Sequence, residues 1–359
     1  MLKTIILGAT GVVGQQFITA LQDHPWFKIE GLAASERSAG KIYDKSIRDS
    51  NNSLRWYCKE EPNNNILNME VYDSSKINPE DYDIAFSALE ADAARTIEAN
   101  FAKTIPVLSS ASAYRYENDV PVLLPGVNDE HSALVNEQKK RGWNGFIVPQ
   151  ANCTTVGLCF SLKPLHDEFG IDNVIMTSMQ AVSGAGRKPG VAAFDMIDNI
   201  IPFIPQEEEK VETETQKILG NFSDNEIKPA RIKVSSTCTR VNVTDAHTES
   251  ILTILRKKTD VEEIKKTLKK FSDDFKYKDL PSAPKNILTI TEDPYRPQPR
   301  LDRDSEKGMT TTIGRIRKDH GFENAFKYVL VSHNTRMGAA RGLVLTAEIL
   351  RSKKIIKMK

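Results

Sequence analysis

The sequence predicts an α/β protein, a helix-wrapped parallel sheet followed by a second, α+β unit, and three observations carry that reading. Short apolar runs alternate with stretches of helical periodicity over the first half of the chain. A glycine-punctuated turn separates the first apolar run from the first amphipathic stretch. From residue 153 the pattern changes, as one long helical stretch leads into strand-length runs divided by Gly-rich and Pro-rich loops. Alternation of the first kind encodes βαβ units, and the later pattern a segregated α+β layer. A length of 359 residues suits two such units, each able to bury a core.

Taken in order, residues 4–7 read as the first strand. Val12, Val13, Phe17, Ile18 and Leu21 then recur at helical spacing, so a helix follows the glycine turn. Strands are expected over 29–34, 83–87, 107–109 and 146–149, with a helix over about 91–102. A helix from about 155 to 169 opens the second unit. Strands follow near 174–180, 232–243, 250–255, 287–291 and 328–332, and an Ala/Leu-rich helix spans 338–350. The Lys-rich segment around Lys265, Lys266, Lys269 and Lys270 alternates with acidic residues, as a solvated helix face does.

Composition narrows the function classes. With 40% hydrophobic and 27% charged residues the chain reads as an ordinary water-soluble protein. A net charge of +1 gives no excess to steer it onto nucleic acid or anionic lipid. No apolar run nears the ~20 residues of a membrane span. The first residues run straight into a strand pattern without the zones of a secretory leader. Cys58, Cys153, Cys159 and Cys238 show neither paired spacing nor CxxC. Reduced thiols in a cytoplasm are therefore expected, with neither disulfides nor a metal site.

The turn Gly8-Ala9-Thr10-Gly11-Val12-Val13-Gly14 stands between strand and helix. Glycines there permit a tight turn and let backbone N–H groups approach a pyrophosphate, the start of a Rossmann-type dinucleotide-binding domain. An NAD site would place an acidic residue at the end of the second strand. Here that strand ends in Ser35, followed by Glu36, Arg37 and Ser38. Hydroxyls and a guanidinium suit the 2′-phosphate of NADP(H), although Glu36, if turned inward, would argue for NAD.

Asn152-Cys153-Thr154-Thr155 lies at a strand-to-helix junction. A cysteine at a helix N-terminus is expected to have a lowered pKa and to serve as a nucleophile. The other three cysteines read as small buried apolar residues. A thiolate acting on a carbonyl needs a proton-transfer partner. His24, His131, His166 and His320 read as surface or packing residues, whereas His333 closes a strand beside Asn334 and His247 follows Arg240 across a strand and turn. The residues alone do not choose between those two.

Four motifs together resemble the aspartate-semialdehyde dehydrogenase family in its archaeal and fungal branch: residues 8–14, Asn152 to Thr155, the run Gln180-Ala181-Val182-Ser183-Gly184-Ala185-Gly186, and the pair Arg240 and His247. Segments 33–40, 110–115, 200–210, 296–302 and 333–340 extend the likeness over almost the whole chain. The resemblance implies that Cys153 forms a thioacyl intermediate, that His247 is the acid/base and that Gln180 orients the carbonyl. It implies further that Arg240 binds the substrate α-carboxylate, Glu207 its amino group, and Arg115 and Lys210 the phosphate, with Asn152 supporting the nucleophile. Thr10, Gly11, Val12, Val13, Ser35, Arg37, Ser38, Ser87, Ser183, Gly186 and Asn334 would line the cofactor. Glu208 and Glu209 adjoin Glu207, so a one-residue slip would change that assignment.

The implied reaction is NADPH-dependent reductive dephosphorylation of L-aspartyl-4-phosphate to L-aspartate 4-semialdehyde, feeding lysine, threonine and methionine synthesis. Two arginines and a lysine against one glutamate complement a substrate with a carboxylate, an ammonium and a phosphate. Malonyl-CoA reductase would keep Cys153 and His247 but bind a bulky thioester. N-acetyl-glutamyl-phosphate reductase has no ammonium to pair with a glutamate. In glyceraldehyde-3-phosphate dehydrogenase the general base would fall at the position held here by Gln180. A non-catalytic NADP-binding sensor would have no use for this set of residues together. The domain division expected is 1–152 with 334–359 for the cofactor and 153–333 for catalysis and dimerisation. The product would be a cytoplasmic homodimer or homotetramer acting on small molecules, with no nucleic-acid or membrane partner.

Overall fold

A computed structural model describes residues 1–185 and 193–357. The first sheet contains β1 (Leu2–Leu7), β2 (Phe27–Ala34), β3 (Lys41–Ile42), β4 (Glu70–Asp73), β5 (Ile84–Ser87), β6 (Val107–Ser109) and β7 (Ile147–Pro149), in the order β3-β4-β2-β1-β5-β6-β7. All neighbours are parallel except the short edge pair β3 and β4. Chain order reverses at β1, which has β2 on one side and β5 on the other. In an open α/β sheet the carboxyl ends of the strands at such a switch point form the ligand crevice.

The glycine turn lies there because only glycine fits it. Gly8 has φ +78, and a Cβ on it would stand 2.6 Å from the Ala88 carbonyl oxygen beyond β5. A Cβ on Gly14 would stand 2.2 Å from the Gly8 oxygen, so that glycine lets the helix Val12–Leu21 pack onto the turn.

The second sheet is mixed, in the order β14-β15-β16-β13-β8-β12-β9, from β8 (Ile171–Gln180), β9 (Ile200–Ile201), β12 (Lys233–Val241), β13 (His247–Leu255), β14 (Leu288–Thr291), β15 (Thr311–Lys318) and β16 (Ala325–Ser332). A hairpin of β10 (Asn221–Ser223) and β11 (Glu226–Lys228) stands apart. Helices Cys153–Phe169, Glu207–Ile218 and Val261–Asp273 cover the inner face. Leu158, Leu162 and Leu165 of the first share a core with Val174, Met176 and Ile251 of the sheet. The Lys-rich segment is the outer side of Val261–Asp273, capped by Asp260 and buried through Ile264 and Leu268.

The helix Ala340–Ser352 joins both cores. Leu343, Val344 and Ala347 pack with Leu2, Ile6 and Phe17, while Leu345 and Ile349 pack with the second-sheet cluster.

Three expectations need correction. The strand expected over 232–243 stops at Val241, and the next begins at His247, three residues before the expected Ser250. Its buried face starts with His247 and Glu249, polar residues that hide the period-two alternation. Arg240 and His247 therefore sit on different strands, one on each side of β8, and not on one strand-turn. Strand β15 was not anticipated, because its Arg and Lys residues at 315–318 mask the buried Thr311–Gly314 half.

Candidate active site

β7 delivers the chain to Asn152, the N-cap of the helix Cys153–Phe169. Its Oδ1 accepts from the backbone N–H groups of Thr154 (2.9 Å) and Thr155 (3.4 Å). Such a cap contributes about 1 kcal/mol and fixes where the first helical residue stands. That residue is Cys153, whose Sγ lies 3.0 Å from His247 Nε2.

His247 is fully buried at the head of β13. Its Nδ1 accepts from the Ala181 N–H at 3.1 Å. An acceptor nitrogen carries no proton, so the neutral ring carries its proton on Nε2 and points it at the sulfur. Burial, with Arg240 and His333 adding to it, pushes His247 down to about 3, so the ring is neutral at physiological pH.

The expected lowering of the cysteine pKa is not what the structure gives. Burial, reinforced by the Glu207 carboxylate, pushes the Cys153 thiol up to about 12, against the pull of Arg115 and Arg240. The residue keeps some solvent contact, but its sulfur is densely surrounded. A helix N-terminus is typically worth about 0.3–1 kcal/mol, under one pKa unit, and desolvation outweighs it.

The charged residues converge on the same point. β8 and β12 run parallel in a register that sets Gln180 beside Arg240, and the Arg240 Nη1 donates to the Ala181 carbonyl at 2.9 Å. Glu207, at the start of its helix, is buried, and its Oε1 accepts from Asn152 Nδ2 (2.8 Å) and Gln180 Nε2 (3.1 Å). Its two neighbours stand differently. Glu208 accepts from the Cys238 N–H on β12, and Glu209 is exposed. Lys210 Nζ lies 4.0 Å from Glu207. Arg115 is buried with its Nη1 3.0 Å from Glu214 and its Nη2 3.1 Å from the Ser110 carbonyl.

Beside this cluster a cleft of about 630 Å³ opens at the switch point. Thr10, Gly11, Val12, Val13, Ser35, Arg37 and Ser38 line it. Glu36 is exposed and is not among the lining residues. Lys41, Lys45 and Arg55 add cations that sequence reading missed, although the density of basic residues after Ser38 was visible. The Gly11 N-cap has no side-chain partner for the helix N–H groups. A helix N-terminus and cations at one cleft fit a phosphorylated dinucleotide.

Ser87 is fully buried beneath the cleft floor, and its neighbour Ala88 does the lining. Ser183 and Asn334 form a bridge, in which Asn334 Nδ2 donates to Ser183 Oγ (2.8 Å) and its Oδ1 accepts from the Ala246 N–H (2.9 Å). That bridge ties the segment Val182–Ala185 to the head of β13. Ala185 reaches the cleft, and a Cβ on Gly184 would stand 3.0 Å from Arg240 Nη1 and 3.2 Å from the His247 ring. Cofactor cleft and cysteine thus share one wall. Gly186 lies outside the described residues. Among the described residues, no group of His, Cys, Asp or Glu is placed to hold a metal, and no helix is long and apolar enough to cross a membrane.

Two family models match the chain. "Semialdehyde dehydrogenase, NAD binding domain" covers residues 3–135, and "Semialdehyde dehydrogenase, dimerisation domain" covers residues 162–337. An aspartate-semialdehyde dehydrogenase from Archaeoglobus fulgidus is 47% identical over 98% of both chains. One from Methanothermobacter thermautotrophicus is 44% identical over 98% of this chain and 99% of its own. The crystal structure of aspartate semialdehyde dehydrogenase with NADP from Candida albicans superposes with a TM-score of 0.87 at 40% identity, covering 99% of this chain and all of that one.

Proposed function

The chain belongs to the aspartate-semialdehyde dehydrogenase family, and from that premise we propose a role for each residue of its site. It is an NADP-dependent oxidoreductase of aspartate-family amino-acid biosynthesis, converting L-aspartyl-4-phosphate to L-aspartate 4-semialdehyde with release of phosphate.

The Cys153 thiolate attacks the acyl carbon, the bond to the phosphate oxygen breaks, and a thioacyl group remains on sulfur. Reduced nicotinamide, when bound, supplies the hydride that this thioacyl carbon accepts. The oxyanion so formed accepts a hydrogen bond from His247 Nε2–H, and its collapse breaks the C–S bond, returns the thiolate and releases the aldehyde. The contact of 3.0 Å between Sγ and Nε2, with Nδ1 held as an acceptor, carries this reading, because it sets an N–H donor beside the sulfur and so next to the acyl group whose oxygen becomes the oxyanion. Gln180 and Asn152 hold Glu207 in place for the substrate ammonium. Arg240 faces the α-carboxylate, and Arg115 with Lys210 takes the phosphate. Thr10 to Val13, Ser35, Arg37 and Ser38 hold NADP(H), while Ser183 and Asn334 shape the wall between cofactor and thiol.

A buried carboxylate beside a buried guanidinium suits a small amino acid and leaves malonyl-CoA reductase without a supporting observation. A non-catalytic sensor would have no need of the Cys153–His247 contact. We assign residues 1–152 and 334–359 to the cofactor unit and 153–333 to the catalytic and dimerisation unit. A homodimer or homotetramer is proposed, with the outer face of the second sheet, where Ile175 is 45% exposed, as a contact surface. We propose a cytoplasmic location, in keeping with the four free cysteines.

The test is an assay of phosphate-dependent NADP⁺ reduction by aspartate semialdehyde, with malonyl-CoA and NADPH run alongside. Cys153→Ser should bind NADPH normally and lose nearly all turnover. Residual activity within tenfold of the parent, or a preference for malonyl-CoA, would overturn the assignment.

A further inference from the structure

We propose that Glu214, which no step above uses, is a positioning residue that ties Arg115 to the backbone carrying Cys153; the proposal rests on the assignment of Arg115 to the phosphate. Glu214 lies two turns beyond Glu207 on the same face of the helix Glu207–Ile218 and is 1% exposed. A carboxylate buried so completely is costly unless its oxygens are paired. Both are. Oε1 accepts from Arg115 Nη1 (3.0 Å) and from the Tyr116 hydroxyl (3.2 Å), and Oε2 accepts from the Asn152 N–H (2.5 Å).

The two sides of this bridge come from different parts of the chain. Arg115 follows β6, and Asn152 is the cap on which the nucleophile's helix hangs. One turn further along, Lys217 Nζ donates to the carbonyls of Arg115 (2.7 Å) and Glu117 (2.9 Å), fixing the same loop by its backbone. With Nη1 on Glu214 and Nη2 on the Ser110 carbonyl, Arg115 Nε is left buried and without a hydrogen-bond partner. A guanidinium serves a phosphate through the direction of its fork, and a displacement near 1 Å of a positioned group is costly to catalysis. Glu214 sets that direction relative to Cys153. Its loss should therefore disturb phosphate binding and the thiol together, while the cofactor cleft, lined by none of these residues, stays as it was.

The experiment uses Glu214→Gln, which keeps the shape but sets an amide NH₂ against the donor or donors at one of the two oxygens. We expect the KM for inorganic phosphate, with aspartate semialdehyde and NADP⁺, to rise at least fivefold. The iodoacetamide rate constant of Cys153 should change at least threefold, and the KM for NADP⁺ should stay within twofold. Glu214→Asp keeps the charge but is too short to reach both partners; it should give the same pattern, and it carries the test if the Gln variant does not fold. A folded variant with parental phosphate KM, or a parallel rise in both KM values, would overturn the proposal. Arg115→Ala is run in parallel. If it leaves the phosphate KM unchanged, the reading of Arg115 fails, and this inference with it. If it raises that KM while the Glu214 variants do not, the inference alone fails.

Discussion

Alkylation of Cys153 as a function of pH sets two physical effects against each other. The helix N-terminus favours the thiolate by about 0.3–1 kcal/mol, and up to ~2 kcal/mol in partly buried geometries. Burial moves the thiol from 9.0 to about 12. Three units correspond to roughly 4 kcal/mol in the opposite direction, so burial wins. At pH 7.5 the thiolate is then about 3 parts in 10⁵ of the cysteine. The rate of iodoacetamide labelling, read at Cys153 by peptide mass spectrometry on cofactor-free protein, should climb about tenfold per pH unit between pH 6 and pH 10. His247 titrates near 3 and introduces no break in that window. A plateau beginning below pH 8 would show that the helix end and the arginines have already made the thiolate, and the argument from burial would be wrong.

Three further outcomes are expected. Arg37→Ala should raise the KM for NADP⁺ by roughly 10- to 100-fold, the worth of a charged hydrogen bond of about 1.5–3 kcal/mol, with little change for NAD⁺; equal losses with both cofactors would make Arg37 a structural residue. His247→Ala should lower kcat by about 10²–10⁴ with little change in KM, whereas Arg240→Lys, which loses the bidentate fork, should act mainly on KM; indistinguishable profiles would break that division. Glu98 is fully buried, accepts from Ser109 Oγ at 2.6 Å, and is pushed up to about 7 by burial. Its folded pKa lies above its unfolded one, so its contribution is intact below about pH 4.5 and is lost as pH rises to about 7. Glu98→Gln stays neutral, so urea unfolding should show near parity with the parent at pH 4.5 and an advantage of up to roughly 3 kcal/mol at pH 8, against a constant difference if Glu98 does not titrate.

The sequence was legible where one face of an element is uniformly apolar. Strand β6 was placed to the residue, and the helix Val12–Leu21 to its buried face, because Phe17, Ile18 and Leu21 repeat at helical spacing. The cysteine was legible from its place at a strand-to-helix junction, although the sign of its pKa shift was not, since desolvation depends on neighbours brought from far along the chain. Buried polar residues were the blind spot. His247 and Glu249 disguised the head of β13, and Glu214, in the run Glu-Thr-Glu-Thr, reads as solvated helix until the fold buries it. Charge in a sequence says that a residue is costly to bury, and only the fold says which residues are buried regardless.

The helix Ala340–Ser352 constrains the order in which the protein can be completed during translation. Residues 2–149 leave the ribosome first and can pair as a sheet, but the apolar strip between the Val12–Leu21 helix and β6 is covered by Leu343, Val344 and Ala347, which are synthesised after all of it. The half made first is therefore closed last, and its exposed apolar strip is open to the wrong neighbours while the second sheet is still being made. Leu345 and Ile349 of the same helix lie in the other core, so the segment that closes the first sheet also packs against the second.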